Sequence, residues 1–212
     1  GLNKGISDAE EQATSGFSKI GGILSGALKV GLAGAVVGFA ALGGAITTGV
    51  GDAREAALLL AQTNATITST GGAAERSAEQ ITDLATALSA SSGASLFGDS
   101  DVQMAENLLL TFTNIKGAVF DAATAISVDM AQALGGAPKD QAIALGKALN
   151  DPIAGVTALS RVGVTFTEEQ KEQIRVMQEA GDVAGAQGVI LAELNKEFGG
   201  SAAAAAAADG GW

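Results

Sequence analysis

The residues of this chain that could carry acid–base chemistry are almost all carboxylates. The 212 residues include 23 Asp and Glu but no His and no Cys. Thiolate chemistry and disulfides are therefore excluded, and the side chain most often used for general acid–base catalysis and metal binding is absent. His-Glu-x-x-His and Gly-x-Ser-x-Gly motifs are missing, and Gly49-Val50-Gly51 lacks the later glycine of a dinucleotide-binding loop.

One pair of carboxylates, Glu168 and Glu169, is adjacent in the sequence. Adjacent helical residues point in different directions, and acidic side chains in the first turn interact favourably with the helix dipole. We interpret the pair as helix-stabilising. A glycosidase that uses two carboxylates is an alternative that only the distances between side chains can exclude. The sequence, however, selects no pair of carboxylates for that role. The chain is therefore predicted not to be an enzyme and to bind no cofactor or metal.

The overall composition is acidic and rich in small residues. The chain has 12 basic residues and a formal net charge of -11, which argues against direct DNA binding and against a polybasic membrane anchor. It also has 30 glycines and few aromatic residues. Because small side chains bury little area each, we expect closely packed helices, or helices that need copies of themselves.

The longest uncharged segment, residues 30–51, reads VGLAGAVVGFAALGGAITTGVG. As a helix it would extend roughly 33 Å, close to the thickness of a bilayer's hydrocarbon core. A buried core helix is the alternative, whereas the acidic residues upstream argue against a signal peptide. The many glycines lower the stability of a membrane-spanning helix. The composition therefore favours a segment that inserts into the membrane only when it is driven to do so or when it is oligomeric. The predicted membrane and oligomer contacts are Gly31, Gly34, Ala35, Val36, Val37, Gly38, Phe39, Leu42 and Ile46.

The remaining sequence predicts an all-α protein, in which a Gly/Ala-rich hydrophobic helix precedes a cluster of short amphipathic helices that self-associates. Residues 1–29 are predicted as an amphipathic lead-in, 30–51 as the membrane-length segment and 52–98 as a helical linker region. Residues 99–200 are predicted as a helical domain and 201–212 as an Ala/Gly-rich tail.

Several element boundaries are also predicted. Leu58, Leu59 and Leu60 form a predicted core patch, and residues 63–72 are the best candidate for a break. A loop is expected at residues 89–99. Ser100 and Gln103 have capping-box spacing before an apolar stripe, as do Thr167 and Gln170. The two apolar stripes predicted after residue 100 consist of Val102, Ala105, Leu109, Phe112 and Ile115, and of Val119, Ala123, Ile126, Met130 and Leu134.

Further helix ends and helix beginnings are predicted in the last third of the chain. Residues 135–138 are predicted to end one helix, and a further helix is predicted over 139–149. Asp151 with Pro152, and later Asp182, are predicted to begin helices. Residues 162–166 are predicted as a turn or extended link.

Residues 142–203 resemble the helical region of phage and prophage tail length tape measure proteins. The most distinctive pieces are KALNDPIAGVTALSRVGVTFTEEQKEQI at 147–174 and AGDVAGAQGVILAELNKEFGGSA at 180–202. The preceding MAQALGGAPKDQAIALGKAL at 130–149 fits the same pattern more loosely. Members of this family also commonly carry Gly/Ala-rich hydrophobic segments such as residues 30–51.

The resemblance implies a structural protein of the virion that occupies the tail tube lumen or tip and sets tail length. Its implied partners are the tail tube protein, distal tail or baseplate hub proteins, tail assembly chaperones in the host cytoplasm, and further copies of itself. At ejection the hydrophobic segment is expected to help DNA pass the host inner membrane, without sequence-specific DNA binding. An autonomous pore-forming or holin-like membrane protein is the alternative, but it leaves the long soluble helices of 100–200 unexplained.

Two features depart from a simple ruler. Even wholly helical, the 212 residues would extend only about 320 Å. Gly and Pro stops between residues 70 and 200 would break a continuous rod into a folded cluster. The sequence therefore predicts a section of a longer chain, namely a folded terminal or tip-proximal part.

Overall fold

The computed structural model describes residues 50–91, 96–161 and 163–209. Within these ranges the protein is all-helical, which confirms the predicted class, and no residue lies in a β-strand. None of the described helices combines the length and apolar character that crossing a bilayer requires. The helices are α1 (Val50–Ser69), α2 (Ala78–Ser91), α3 (Asp99–Leu109), α4 (Gly117–Leu134), α5 (Pro138–Asn150), α6 (Pro152–Ser160), α7 (Glu168–Glu179), α8 (Val183–Phe198) and α9 (Ser201–Asp209).

Helix α3 lies at the centre of the cluster and packs against α1, α2, α4 and α5. It is therefore buried on most sides, and even polar positions such as Glu106 and Asn107 are enclosed. The second half of the core is formed by α5 to α8, with α8 also packed against α4. The largest fully buried side chains are Ile81, Leu109, Leu110, Ile115, Phe120, Met130, Leu145, Leu149, Leu159, Ile174, Ile190 and Leu194.

Most predicted helix boundaries in the second half of the chain are confirmed. The Asp151 carboxylate accepts a hydrogen bond from the Ala154 backbone N–H at 3.2 Å, and Pro152 occupies the first helical position of α6. Thr167 and Gln170 form the predicted capping box of α7. Asp182 caps α8 through the Gly185 N–H. These ends are confirmed because each depends on local side-chain chemistry that the sequence displays.

Three predictions made for residues 63–115 are wrong in detail. Helix α1 continues to Ser69, so residues 63–69 are helical and the break begins at Thr70. The first residue of α3 is Asp99, and its preceding Gly98 N–H is held by the Asp101 carboxylate at 3.2 Å rather than by a Ser100–Gln103 box. The predicted stripe on α3 ends at Leu109, because the chain turns there. Phe112 and Ile115 pack from the following loop.

Two apolar residues predicted to be in the core are exposed. Leu58 is 62% exposed, although its neighbour Leu59 is buried. Leu134 is 48% exposed at the last position of α4. Leu58 lies within α1, beside the buried Leu59 but on a different side of the helix, and Leu134 is the last residue of α4. Helical periodicity alone could not distinguish them from core residues.

Helix α9, within the segment predicted as an Ala/Gly-rich tail, packs against α4 and α2. The Asp129 carboxylate on α4 accepts hydrogen bonds from the backbone N–H groups of Gly200 and Ala202, both at 3.0 Å. These donors begin α9 and have no partner within their own helix. Asp129 therefore acts as an N-terminal cap supplied by another helix.

Substituting Asp129 by Ala is expected to detach α9. A lost cap costs about 1 kcal/mol, and α9 buries little besides Ala202. Amide hydrogen exchange should therefore accelerate across 201–208 while α4 and α8 stay protected. Asp140→Ala, which removes an exposed carboxylate on α5, is the control and should leave exchange in α9 unchanged. Unaltered α9 protection in Asp129→Ala would contradict the capping role.

Candidate interaction surface

A groove of about 290 Å³ runs between α6 and α7, inside the segment 142–203 that carries the family resemblance. Its floor is apolar, because Val156 and Ile174 are buried beneath it and Ile153, 47% exposed, stands at its edge. The groove is lined by Ile153, Val156, Thr157, Glu168, Lys171, Glu172, Ile174 and Arg175. It therefore has an uncharged wall on α6 and a charged wall on α7.

The charged wall is part of a ladder of five residues on one face of α7, namely Glu168, Lys171, Glu172, Arg175 and, beyond the groove, Glu179. Lys171 Nζ donates to Glu168 Oε1 at 2.7 Å. Arg175 donates to both carboxylate oxygens of Glu172, at 2.9 and 2.5 Å, and to Glu179 Oε1 at 2.6 Å. These pairs follow the three- and four-residue spacing that brings side chains together on a helix. The three glutamates are largely exposed, and Lys171 and Arg175 are a little under half exposed.

The electrostatics of the ladder favour its charged forms. The hydrogen bond from Arg175 lowers the pKa of Glu172, and the two carboxylates beside Arg175 raise the pKa of its guanidinium. Hydrogen bonds to its own backbone N–H and to Thr167 lower the pKa of Glu169, which begins the same helix. The face therefore presents fixed, alternating charges to solvent at neutral pH.

A second group of polar side chains is buried where α1, α2 and α3 meet. Thr63 Oγ1 lies 2.7 Å from Asn107 Oδ1, and Gln103 Nε2 lies 3.4 Å from the hydroxyl oxygens of both Thr63 and Thr82. Within the described ranges, Asn107 Nδ2 has no hydrogen-bond partner. This network joins three helices by polar contacts, in addition to the apolar contacts that the same helices make.

Glu106 is the most unusual member of this region. Its side chain is completely buried on α3, and neither carboxylate oxygen has a hydrogen-bond partner among the described residues. Burial raises the pKa of Glu106 to about 9, and the nearby Asp121 carboxylate contributes to the increase. Asp121 is itself engaged by Arg76, whose Nη2 lies 2.6 Å from Asp121 Oδ2. Glu106 is therefore protonated at neutral pH.

The residues predicted to contact a membrane or another copy lie outside the described part of the chain. This holds for Gly31, Gly34, Ala35, Val36, Val37, Gly38, Phe39, Leu42 and Ile46. The predicted helix-stabilising carboxylates Glu168 and Glu169 do occupy the first turn of α7. Within the described ranges no cluster of three or more Asp and Glu side chains has the geometry of a metal site.

Sequence reasoning missed both the charge ladder and the buried Glu106. The ladder could have been predicted from the sequence, because alternating charges at three- and four-residue spacing indicate an exposed helix face. Glu106 had no such signal. A helix that is surrounded on most sides buries residues outside its apolar stripe, and only the packing of α3 shows which ones.

Comparison with protein-family models, curated proteins and solved structures finds no match to this chain.

Proposed function

We propose that this chain is a section of a phage or prophage tail tape measure protein and that it acts by packing and occupancy without catalysis. The observation that supports the proposal is the resemblance over 142–203, which covers most of α5, all of α6 to α8 and the start of α9. Its partners would be the tail tube, the distal tail or baseplate hub, tail assembly chaperones and further copies of itself. The host inner membrane would be met by residues 30–51 at ejection.

The helical packing supports a folded end and not the extended ruler. A ruler converts residue number into length at about 1.5 Å per residue, so residues 50–209 would extend about 240 Å as one helix. Instead, the longest described helix has 20 residues, and α3 is enclosed by four others. A compact unit of this kind suits a terminal or tip-proximal position.

The distribution of charge also supports a role without DNA recognition. Residues 50–212 contain 9 basic and 20 acidic residues, which gives a net charge of -11, whereas residues 1–49 contain 3 of each and are neutral. An acidic folded unit repels the phosphate backbone. DNA would therefore pass this section without being bound by it.

The test is an in-frame deletion of residues 50–209 in the genome of the virus or prophage that encodes this chain. Particles would be examined by electron microscopy for tail length and by immunogold labelling of an N-terminal epitope. We expect labelled tails of normal length and a loss of infectivity. The epitope-tagged undeleted strain is the control, and it should show the same label with full infectivity.

The other outcomes separate the alternatives. Tails shortened by the deletion would show that residues 50–209 contribute to the length that the ruler sets. Label confined to the host membrane, with no label on particles, would favour the pore-forming alternative. Normal, infectious particles that lack the protein would overturn the tail assignment.

A further inference from the structure

Helix α1 is attached to the other helices by few contacts. Of its 20 residues, only Leu59 and Thr63 are buried among those whose side chains the structure describes, and Ile67 is partly buried against the core. The helix packs against α2 and α3, and Arg54 and Glu55 form no ion pair with any described residue. Because stabilisation by burial grows with the apolar area removed from water, α1 is held less firmly than the enclosed α3.

Helix α1 meets α3 through a buried polar contact. Thr63 Oγ1 lies 2.7 Å from Asn107 Oδ1 and 2.9 Å from the backbone oxygen of Leu59, and Gln103 Nε2 approaches it at 3.4 Å. The hydroxyl has one proton to share between the Asn107 and Leu59 oxygens. Asn107 Nδ2 lacks a partner in the part of the chain that the structure describes. Since water would satisfy these groups, opening this contact costs less than opening an apolar contact of the same size.

Two glycines follow α1 directly and have the properties of a hinge. Gly71 and Gly72 have φ angles of 65° and 71°, in the left-handed region that glycine adopts without strain. A Cβ atom at either position would have none of the described residues within 4 Å. A hinge must absorb a large change in φ and ψ without a clash, and this pair of residues has room to do so.

The chain is anchored again immediately after the two glycines. The buried Ala74 accepts a hydrogen bond through its carbonyl oxygen from the Gly117 N–H at 3.0 Å. Arg76 Nε and Nη2 donate to the Asp121 carboxylate at 2.8 and 2.6 Å. These contacts attach residues 74–76 to α4 independently of α1. The boundary between a weakly held helix and a firmly held chain therefore lies at Gly71 and Gly72.

We propose that α1 is a releasable strap, which leaves α3 and rejoins it as a unit by rotation about Gly71 and Gly72 while α2 to α8 stay folded. A released α1 also loses its helix, because most helical stability comes from packing. Its 20 residues span about 30 Å as a helix and up to roughly 70 Å as an open chain. Release therefore lengthens the connection between residues 1–49 and α2. The inference does not depend on the proposed tail function.

Amide hydrogen exchange of the full 212-residue chain, resolved by residue, tests the strap. Release as a unit predicts one common protection factor across residues 57–69, at least about tenfold lower than the protection factors in α4 and α8. Protection that rises steadily from residue 57 to 69 would show fraying of the helix end and would overturn the proposal. Protection in α1 equal to that in α4 and α8 would overturn it as well, because α1 would then open only with the whole fold.

A variant of the polar contact should release the strap more often. Thr63→Val leaves Asn107 and Gln103 with one partner fewer, and we expect exchange across 57–69 to accelerate at least about tenfold while α8 is unchanged. The matched control is Thr124→Val, which removes a buried hydroxyl that donates to the Phe120 carbonyl oxygen within α4. This control should leave exchange in α1 unchanged. Circular dichroism shows whether each variant retains the helical fold.

A double variant should hold the strap in place. In Thr63→Val/Asn107→Leu both polar partners are replaced by apolar side chains of similar size, so the contact no longer has a group that water satisfies better. We expect exchange across 57–69 to be at least about tenfold slower than in Thr63→Val, and no faster than in the unmodified chain. Exchange as fast as in Thr63→Val would overturn the role of this contact in holding the strap.

Discussion

Replacing Glu106 by Gln is expected to stabilise the protein at neutral and alkaline pH, with a gain that grows as the pH rises. The native state retains the Glu106 proton up to a pKa of about 9, whereas the unfolded chain releases it above the ordinary value of 4.5. Between these values the unfolded state binds fewer protons than the native state. The contribution of Glu106 to the free energy of unfolding therefore falls with increasing pH in this range, by up to about 1.4 kcal/mol per unit.

The expected difference is large at ordinary working pH. At pH 7 the free energies of unfolding of the two proteins should differ by roughly 3 kcal/mol, and at pH 5 by less than about 1 kcal/mol. Gln has nearly the same shape as protonated Glu and cannot ionise. Among the described residues, Asp121 is the charged group that acts on Glu106, and neither Asp121 nor its partner Arg76 changes in the variant.

Urea unfolding followed by circular dichroism at pH 5, 7 and 8.5 measures this difference. Glu79→Gln, which neutralises an exposed carboxylate on α2, is the control and should show no comparable gain. If the unmodified protein and Glu106→Gln lose stability in parallel as the pH rises, then Glu106 does not bind a proton in the folded state.

Replacing Gly155 by Ala is expected to destabilise the protein by about 3 kcal/mol or more. A Cβ atom at Gly155 would lie 2.2 Å from the Ala148 carbonyl oxygen and 2.6 Å from the Ala148 Cα atom. Both are backbone atoms of α5, so no side-chain rotation can relieve the clash. Helices α5 and α6 would have to separate, which would disturb the packing of the buried Val156 and Leu159.

A second glycine supplies the matched control. Gly188 lies inside α8, and a Cβ atom there would have none of the described residues within 4 Å. Gly188→Ala should therefore stabilise the protein by about 0.5 to 1 kcal/mol, because Ala restricts the unfolded chain and favours helix. Urea unfolding at constant pH compares the two variants. Equal midpoints for Gly155→Ala and the unmodified chain would show that α5 and α6 do not pack as closely as described.

Both effects depend on contacts between helices that are distant from any motif. Glu106 follows a predicted core position, Ala105, and Gly155 lies in a predicted short helix. Neither residue type indicates burial by itself. The helix in which each lies could be predicted from the sequence, whereas the neighbour that encloses it could not.

The sequence alone determined the helical class and those helix ends in the described second half that depend on local chemistry. Thr167 with Gln170, Asp151 with Pro152, and Asp182 each satisfy backbone donors within a few residues, so neighbouring sequence is sufficient to position them.

Only the tertiary structure decided which helix lies at the centre and which faces stay open. Leu58 and Leu134 are of a residue type typical of a core but are 62% and 48% exposed, whereas Glu106 is of a type typical of a surface and is buried. Burial depends on elements far apart in the chain, and periodicity reports only the face of one helix. The groove between α6 and α7 likewise exists only because two helices, separated by residues 161–167, pack side by side.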